Sequence, residues 1–253
     1  MSSAPTPEEV AADARWLAQA LDPSAGQARL VAMDRDSYRA ASFLDDRMLQ
    51  SPVDAHVVPW PTIEEAVAGE HRQDARWIFH IGHVGSTLVS RLLGEIDGVL
   101  AVREPRLLRD LALTPAGERA PYVAFVPKLM SRTFASNEVA CVKATSFVSE
   151  IAPELVPPAE RALFMFASPR NYIGSILAGE NSVKELRALA SSRAERMANR
   201  VGALPARNEA ELAASAWACE MTALETSADA MPDRSIAWAD FDAMLRAMPA
   251  ELA

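Results

Sequence analysis

Arg76-Trp77-Ile78-Phe79-His80-Ile81-Gly82-His83-Val84-Gly85-Ser86-Thr87-Leu88-Val89-Ser90-Arg91-Leu92-Leu93 reads as three pieces in series. The apolar run at its start predicts a strand, Gly82 and Gly85 a tight loop, and Leu88, Leu92, Leu93 and Ile96 one side of a helix. That order builds an anion site. Glycine lets the backbone come close to a ligand, the first N–H groups of a helix have no partner inside it, and the helix N-terminus carries partial positive charge. Ser86 and Thr87 add hydroxyl donors at the same point. A plain strand-to-helix turn capped by Ser86 and Thr87 accounts for the same residues.

Downstream, the runs VLAVR (99–103), EVACVKA (138–144), ALFMFAS (162–168) and SIAWA (235–239) predict further strands. Helical patterns fall between them, over 87–96, 122–134, 146–151, 169–177, 182–201 and 209–228. This alternation requires crossover connections, so the fold class is α/β, a three-layer, mainly parallel sheet with helices on both faces. Upstream, Thr6-Pro7-Glu8-Glu9 is a capping box with proline at the first helical position, and Val10, Ala14, Leu17 and Leu21 continue at helical spacing. SYRAASFLDDRML (37–49) predicts a second helix with Tyr38, Ala41, Phe43, Leu44 and Met48 on one broad face, before Pro52, Pro59 and Pro61 break the pattern. Residues 1–72 therefore read as an α-helical lead-in packed on a core of 73–253, one domain without a glycine- and serine-rich linker.

The 253 residues carry 25 Lys and Arg against 34 Asp and Glu, a net charge of −9, which argues against a surface built for nucleic acid polymers or anionic membrane. A mean hydropathy of zero suits a soluble globular chain. Acidic residues precede any apolar run at the N-terminus, and no uncharged stretch approaches a membrane span, so a cytoplasmic protein is expected. Cys141 and Cys219 stand alone in apolar surroundings and read as buried thiols. His56, His71, His80 and His83 all precede or enter the glycine loop. Two histidines three apart across a strand end are expected to point in different directions, and no cysteine or carboxylate cluster completes a ligand set, so no metal site is expected.

A nucleotide-hydrolysing loop needs GxxxxGK[ST], whereas Leu88 follows the hydroxyl pair here and no lysine is near. The segment instead resembles the donor-binding loop of the sulfotransferase family, an Arg/Lys-Ser-Gly-Thr-Thr-Leu turn that holds the 5′-phosphosulfate of PAPS. Here the turn is His83-Val84-Gly85-Ser86-Thr87-Leu88. RALFMFASPRNYIGSIL (161–177) is similar to the family's second motif, an Arg-Asp-Pro-Arg turn with a serine eight residues after its first arginine. Ser175 matches that serine. Ala167 replaces the first arginine, so Arg170 would have to reach the 3′-phosphate instead. Glu104-Pro105 and Lys143 look like the family's Glu-Pro after the second strand and its lysine at the end of the third. SIAWADF lies where the family has a strand and a Tyr-Glu-Asp-Leu-like turn, and relatives continue past that point with a helix and a loop that finishes the 3′-phosphate site.

The resemblance implies a P-loop-type fold and sulfonyl transfer from PAPS to a hydroxyl or amine of a small-molecule acceptor. It implies that Gly85, Ser86, Thr87 and Leu88 cradle the 5′-phosphosulfate, with His83 at the family's basic position and a raised pKa beside phosphate. Arg170 and Ser175 would hold the 3′-phosphate, Lys143 would neutralise the leaving phosphate, and Glu104 would accept the acceptor's proton. Taken singly, each has a structural reading: Glu104 as a helix N-terminal acid, Lys143 as a strand-end cation, Ser175 as a helix-face hydroxyl, Pro169 as a helix-start proline. A non-catalytic nucleotide- or partner-binding module and an ATP-dependent small-molecule kinase are the competing classes. Arg187, Arg193, Arg196, Arg200 and Arg207 read as a solvated, ion-paired surface, with a lid over an anionic ligand as the lesser reading. Met130, Met165, Met197, Met221, Trp217 and Trp238 read as core.

Overall fold

A computed structural model of the chain describes residues 3–202 and 204–247. Helix α1 (Pro7–Ala12) begins as its sequence dictates, with Thr6 Oγ1 accepting from the Glu9 N–H and the Glu9 carboxylate accepting from the Thr6 N–H. It stops after two turns. Asp13 Oδ1 accepts the Arg15 N–H at 2.8 Å and turns the chain into strand β1 (Trp16–Asp22), which pairs antiparallel with β2 (Gln27–Ala32). The helical spacing of Val10, Ala14, Leu17 and Leu21 is thus split between a helix and a strand, and the expected helical lead-in is corrected to a sheet with short helices. Leu17, Ala18, Ala20 and Leu21 are all buried, so β1 has no polar face to advertise its period. The tight connection follows from Asp22, whose Oδ1 accepts from Ser24 N–H, Ser24 Oγ–H and Ala25 N–H, and from Gly26 at φ +61°.

Helix α2 (Arg35–Ala40) and a 3₁₀ turn (Asp46–Gln50) replace the single helix expected over 37–49. Strand β3 (Ala55–Pro59) then completes the three-stranded antiparallel sheet β1-β2-β3. Helix α3 (Trp60–Val67) starts where the sequence suggested a break, because Pro61 sits in its first turn, where a missing N–H costs nothing.

The second sheet has five parallel strands: β4 (Arg76–His80), β5 (Val99–Arg103), β6 (Val139–Lys143), β7 (Arg161–Phe166) and β8 (Ser235–Asp240), in the order β5-β6-β4-β7-β8. All five expected strands are present. Around them, α4 (Ser86–Leu93) follows β4, and α5 (Arg106–Leu113), α6 (Ala116–Val123) and α7 (Val126–Met130) join β5 to β6. The helix expected over 122–134 is broken, with Pro121 near the end of one piece and Pro127 at the start of the next. A 3₁₀ turn (Ser146–Ile151) and α8 (Ala152–Leu155) join β6 to β7. Helices α9 (Pro169–Leu177), α10 (Glu180–Ala188), α11 (Ala190–Ala198) and α12 (Glu209–Asp229) lie between β7 and β8, and α13 (Phe241–Ala247) follows. No helix among the described residues is long and apolar enough to cross a membrane.

The two sheets share one core, from Val10, Leu30, Leu44 and Ile63 to Phe79, Phe164 and Leu224. Polar ties lock the join. Leu21 N–H donates to Asp110 Oδ2 at 2.9 Å, Arg103 Nε donates to the Ala41 carbonyl at 2.8 Å, and Lys128 Nζ donates to the carbonyls of Val67 and Gly69, both at 2.9 Å. Cys141 and Cys219 are buried free thiols. Trp238 departs from the core reading: on edge strand β8 it packs against Phe164 and Phe166 yet remains 43% exposed.

Candidate functional site

Strand β4 lies at the middle of the parallel sheet and leaves its carboxyl end toward β5 on one side, while β7 leaves toward β8 on the other. A crevice at such a divergence is where open α/β sheets bind ligands. Here it holds a cleft of about 320 Å³. Its floor is the loop after β4, in which Gly82 (φ +83°), His83 (φ +53°) and Gly85 (φ +63°) all adopt left-handed backbone. Among the described residues, the N–H groups of Val84, Gly85, Ser86 and Thr87 have no hydrogen-bond partner, as expected at the open end of α4. The ring of Phe241 from α13 abuts Gly85, where a Cβ would come within 2.2 Å of it.

One wall comes from the ends of β5 and β6. Lys143, 1% exposed, closes an ion pair with Glu104, whose N–H also donates to the Lys143 carbonyl at 2.7 Å. Glu104 is itself at φ +53°, a strained backbone for a non-glycine residue, which the flanking hydrogen bond and ion pair hold in place. Arg47 Nη2 lies 3.7 Å from the other Glu104 oxygen, and its guanidinium covers the Phe43 ring at 3.4 Å. Both residues belong to the loop between α2 and β3, so the N-terminal sheet builds part of the cleft. The opposite wall is Tyr172 and Ile176 of α9, Ser182, Glu185 and Leu186 of α10, and Arg193 of α11.

Comparison with protein-family models, curated proteins and solved structures finds no match. The cleft's chemistry therefore rests on its own residues. Of the sequence-derived candidates, His83, Gly85, Ser86, Thr87, Glu104 and Lys143 come together in it. Ser175 is adjacent, its Oγ 3.3 Å from His83 Nδ1. Leu88 and Arg170 are not in the lining: Leu88 is 49% exposed on the outer side of α4, and Arg170 is exposed on the first turn of α9 without an ion pair among the described residues. No three His, Cys, Asp or Glu side chains among the described residues form a metal-binding group.

His80 and His83, expected to point apart, both line the cleft. His80 is buried, its Nδ1 accepting the Gly82 N–H at 2.9 Å. Burial, reinforced by the charge of Lys143, holds it well below the ordinary histidine value of 6.5. His83 is also held below that value, by burial first, with Glu185 pulling upward and Arg193 downward, so the protein on its own does not give the raised pKa expected there. Burial likewise pulls Lys143 below its ordinary value, against the opposing pull of Glu104.

Because the unfolded chain binds protons at these histidines more readily than the folded one, their contribution to stability is full above pH 6.5 and is lost as pH falls toward the folded-state values. Urea unfolding between pH 5 and 8 is expected to lose stability below about pH 6.5, and His80→Asn should flatten that decline. An unchanged slope in the variant would remove His80 as its source.

The arginine series is corrected. Arg187 and Arg207 are exposed and paired with Glu209 and Glu211, but Arg193, Arg196 and Arg200 are largely buried around Glu220 and Glu150. Arg196 grips Glu220, which is 1% exposed, with Nη1 and Nη2 both at 3.0 Å, and reaches Glu150 with Nε at 2.7 Å. This network anchors α11 to α12 and presents Arg193 to the cleft. The Arg193 Nη1 atom is buried without a hydrogen-bond partner among the described residues. Regular i,i+3 or i,i+4 charge spacing disguised these residues as a solvated face; Phe43 read only as part of an apolar helix face, and Arg47 carried no signal of a site.

Proposed function

We propose that the chain is a P-loop-fold sulfotransferase-like enzyme that moves a sulfonyl group from PAPS to a hydroxyl or amine of a small-molecule acceptor. The supporting observation is that the unpartnered N–H run from Val84 to Thr87 opens onto the same cleft as the buried Lys143–Glu104 pair. An anion-binding loop without a catalytic lysine, set beside a carboxylate and an ammonium, suits transfer of an anionic group to a protic acceptor.

In this reading PAPS supplies the activated sulfonyl group, and the loop N–H groups with Ser86 and Thr87 hold its 5′-phosphosulfate. The orphaned Arg193 Nη1 and the Lys143 ammonium face the same space and fit that anion. Ser175, at the rim beside His83, and the unpaired Arg170 are the groups assigned to the 3′-phosphate. Lys143 neutralises the leaving phosphate. As its ammonium turns to that anion, Glu104 is released to take the acceptor's proton while the acceptor oxygen or nitrogen bonds to sulfur and the bond to the phosphate oxygen breaks.

Calorimetry with adenosine 3′,5′-bisphosphate, and with ATP, ADP and 5′-AMP for comparison, tests the donor. Binding that requires the 3′-phosphate supports the reading; selective ATP binding with Mg²⁺ would favour a kinase, and no nucleotide binding a scaffold. Glu104→Gln should lower sulfonyl transfer to a panel of phenols, alcohols and amines roughly 10²–10⁴-fold, the usual worth of a general base, and leave bisphosphate affinity nearly intact. Equal loss of both would remove Glu104 as the base.

A further inference from the structure

We infer that His80 is a neutral hydrogen-bond donor to the tetrahedral oxyanion bound in this cleft. His80 ends β4 and is 5% exposed. Its Nδ1 accepts the Gly82 N–H at 2.9 Å, so in the neutral ring the single proton is on Nε2. His80 lines the cleft, and its Nε2 is buried with no partner of full hydrogen-bond geometry among the described residues: the Ala144 carbonyl is close enough only to favour a proton on the ring against burial, and Glu104 Oε1 stands 3.9 Å away. A buried donor without an acceptor is unfavourable, and native proteins rarely keep one without a use.

The surroundings choose the acceptor. The lining holds two carboxylates, Glu104, which is paired with Lys143, and Glu185; against them stand Lys143, Arg193 and the open N–H groups of the loop, and the shape that takes hydrogen bonds from these donors together is an anion with several oxygens, a sulfate or phosphate group. A second cation beside the buried Lys143 is disfavoured, and with the proton fixed on Nε2 no lone pair of His80 faces the cleft. His80 is therefore neither an imidazolium nor a general base. Its role is that of a fixed neutral donor, set by the backbone bond to the very loop that carries the anion.

The inference rests on the anion-binding part of the reading above and does not require PAPS. Two substitutions separate donor from anchor. His80→Asn keeps an acceptor for the Gly82 N–H and removes the donor at the Nε2 position; His80→Gln places an amide donor near Nε2. Calorimetric titration with inorganic sulfate, and separately with adenosine 3′,5′-bisphosphate, should show His80→Asn weakened by roughly ten-fold or more, as expected for one hydrogen bond to a charged group, with His80→Gln near wild type. Wild-type affinity in His80→Asn, or equal losses in both variants, would overturn the assignment. In wild-type protein, the ¹⁵N resonance of His80 Nε2 and its attached proton should move on sulfate addition; a resonance that stays put overturns the inference even if neither variant folds. Sulfate binding without bisphosphate binding would defeat the PAPS reading and leave His80's role standing, whereas a wild-type cleft that takes neither anion defeats both.

Discussion

Lys143→Met is expected to lose about 3 kcal/mol of unfolding free energy and, on the sulfotransferase reading proposed above, nearly all sulfonyl transfer. The side chain is 1% exposed, and its ammonium is the closest partner of Glu104, so a methionine of similar length leaves a carboxylate at the cleft wall without its main counter-charge. Removing one member of a buried pair commonly costs roughly 3–5 kcal/mol. The lower end applies because Glu104 is 9% exposed and Arg47 remains 3.7 Å from its second oxygen. Adding Glu104→Gln to the same protein should restore most of the loss in urea unfolding, since two neutral side chains then share the site without an unpaired charge. It should not restore transfer. Stability that returns in the double variant while transfer stays absent separates the fold's use of the pair from the reaction's use of it. Unchanged stability in Lys143→Met would mean that Arg47 alone suffices for Glu104, and that the ammonium contributes no net stabilisation.

The parallel sheet was legible because its strands announce themselves. RWIFHI, VLAVR, EVACVKA and ALFMFAS are apolar runs with helical patterns between them; three became inner strands, and VLAVR became the edge strand β5, itself buried along most of its length. The N-terminal sheet was not, although Asp22-Pro23-Ser24-Ala25-Gly26 carries the chemistry of a tight turn. A β1 buried along almost its whole length has no period of 2, and four apolar residues at helical intervals then favour the wrong element. At the site, the residues that a motif holds by short spacing, from His83 to Thr87, were readable, as were Glu104 and Lys143 at the ends of consecutive strands. His80 was visible as a histidine but not as a donor, since its role depends on the Gly82 N–H that occupies its other nitrogen. Arg193, Phe43 and Arg47 reach the cleft through tertiary packing of α11 on α12 and of α2 and the chain after it on β5, which one-dimensional spacing does not encode.

Gly85→Ala should lose both fold stability and anion affinity, and the two losses have different causes. At φ +63° an alanine is strained by roughly 1–2 kcal/mol, and its Cβ would fall 2.2 Å from the Phe241 ring, a contact that must be relieved by movement. Overpacking of that kind adds about 1–3 kcal/mol, for a total on the order of 2–5 kcal/mol by urea unfolding. Relief comes from turning the Phe241 ring or from shifting the start of α13, where the adjoining Asp242 accepts the Ser168 N–H at 3.0 Å and the Ser168 Oγ–H at 2.6 Å. A shift of α13 would carry the strain from the loop after β4 to the loop after β7, on both sides of the crevice. Phe241→Ala in the Gly85→Ala background should recover the packing part of the loss by removing the ring, while the backbone part persists. Sulfate affinity should remain weak in the double variant, because the left-handed turn at residue 85 is what aims the N–H groups of Ser86 and Thr87 into the cleft. Full recovery of affinity would show instead that the glycine serves only to admit Phe241, and that the loop's backbone conformation survives a side chain.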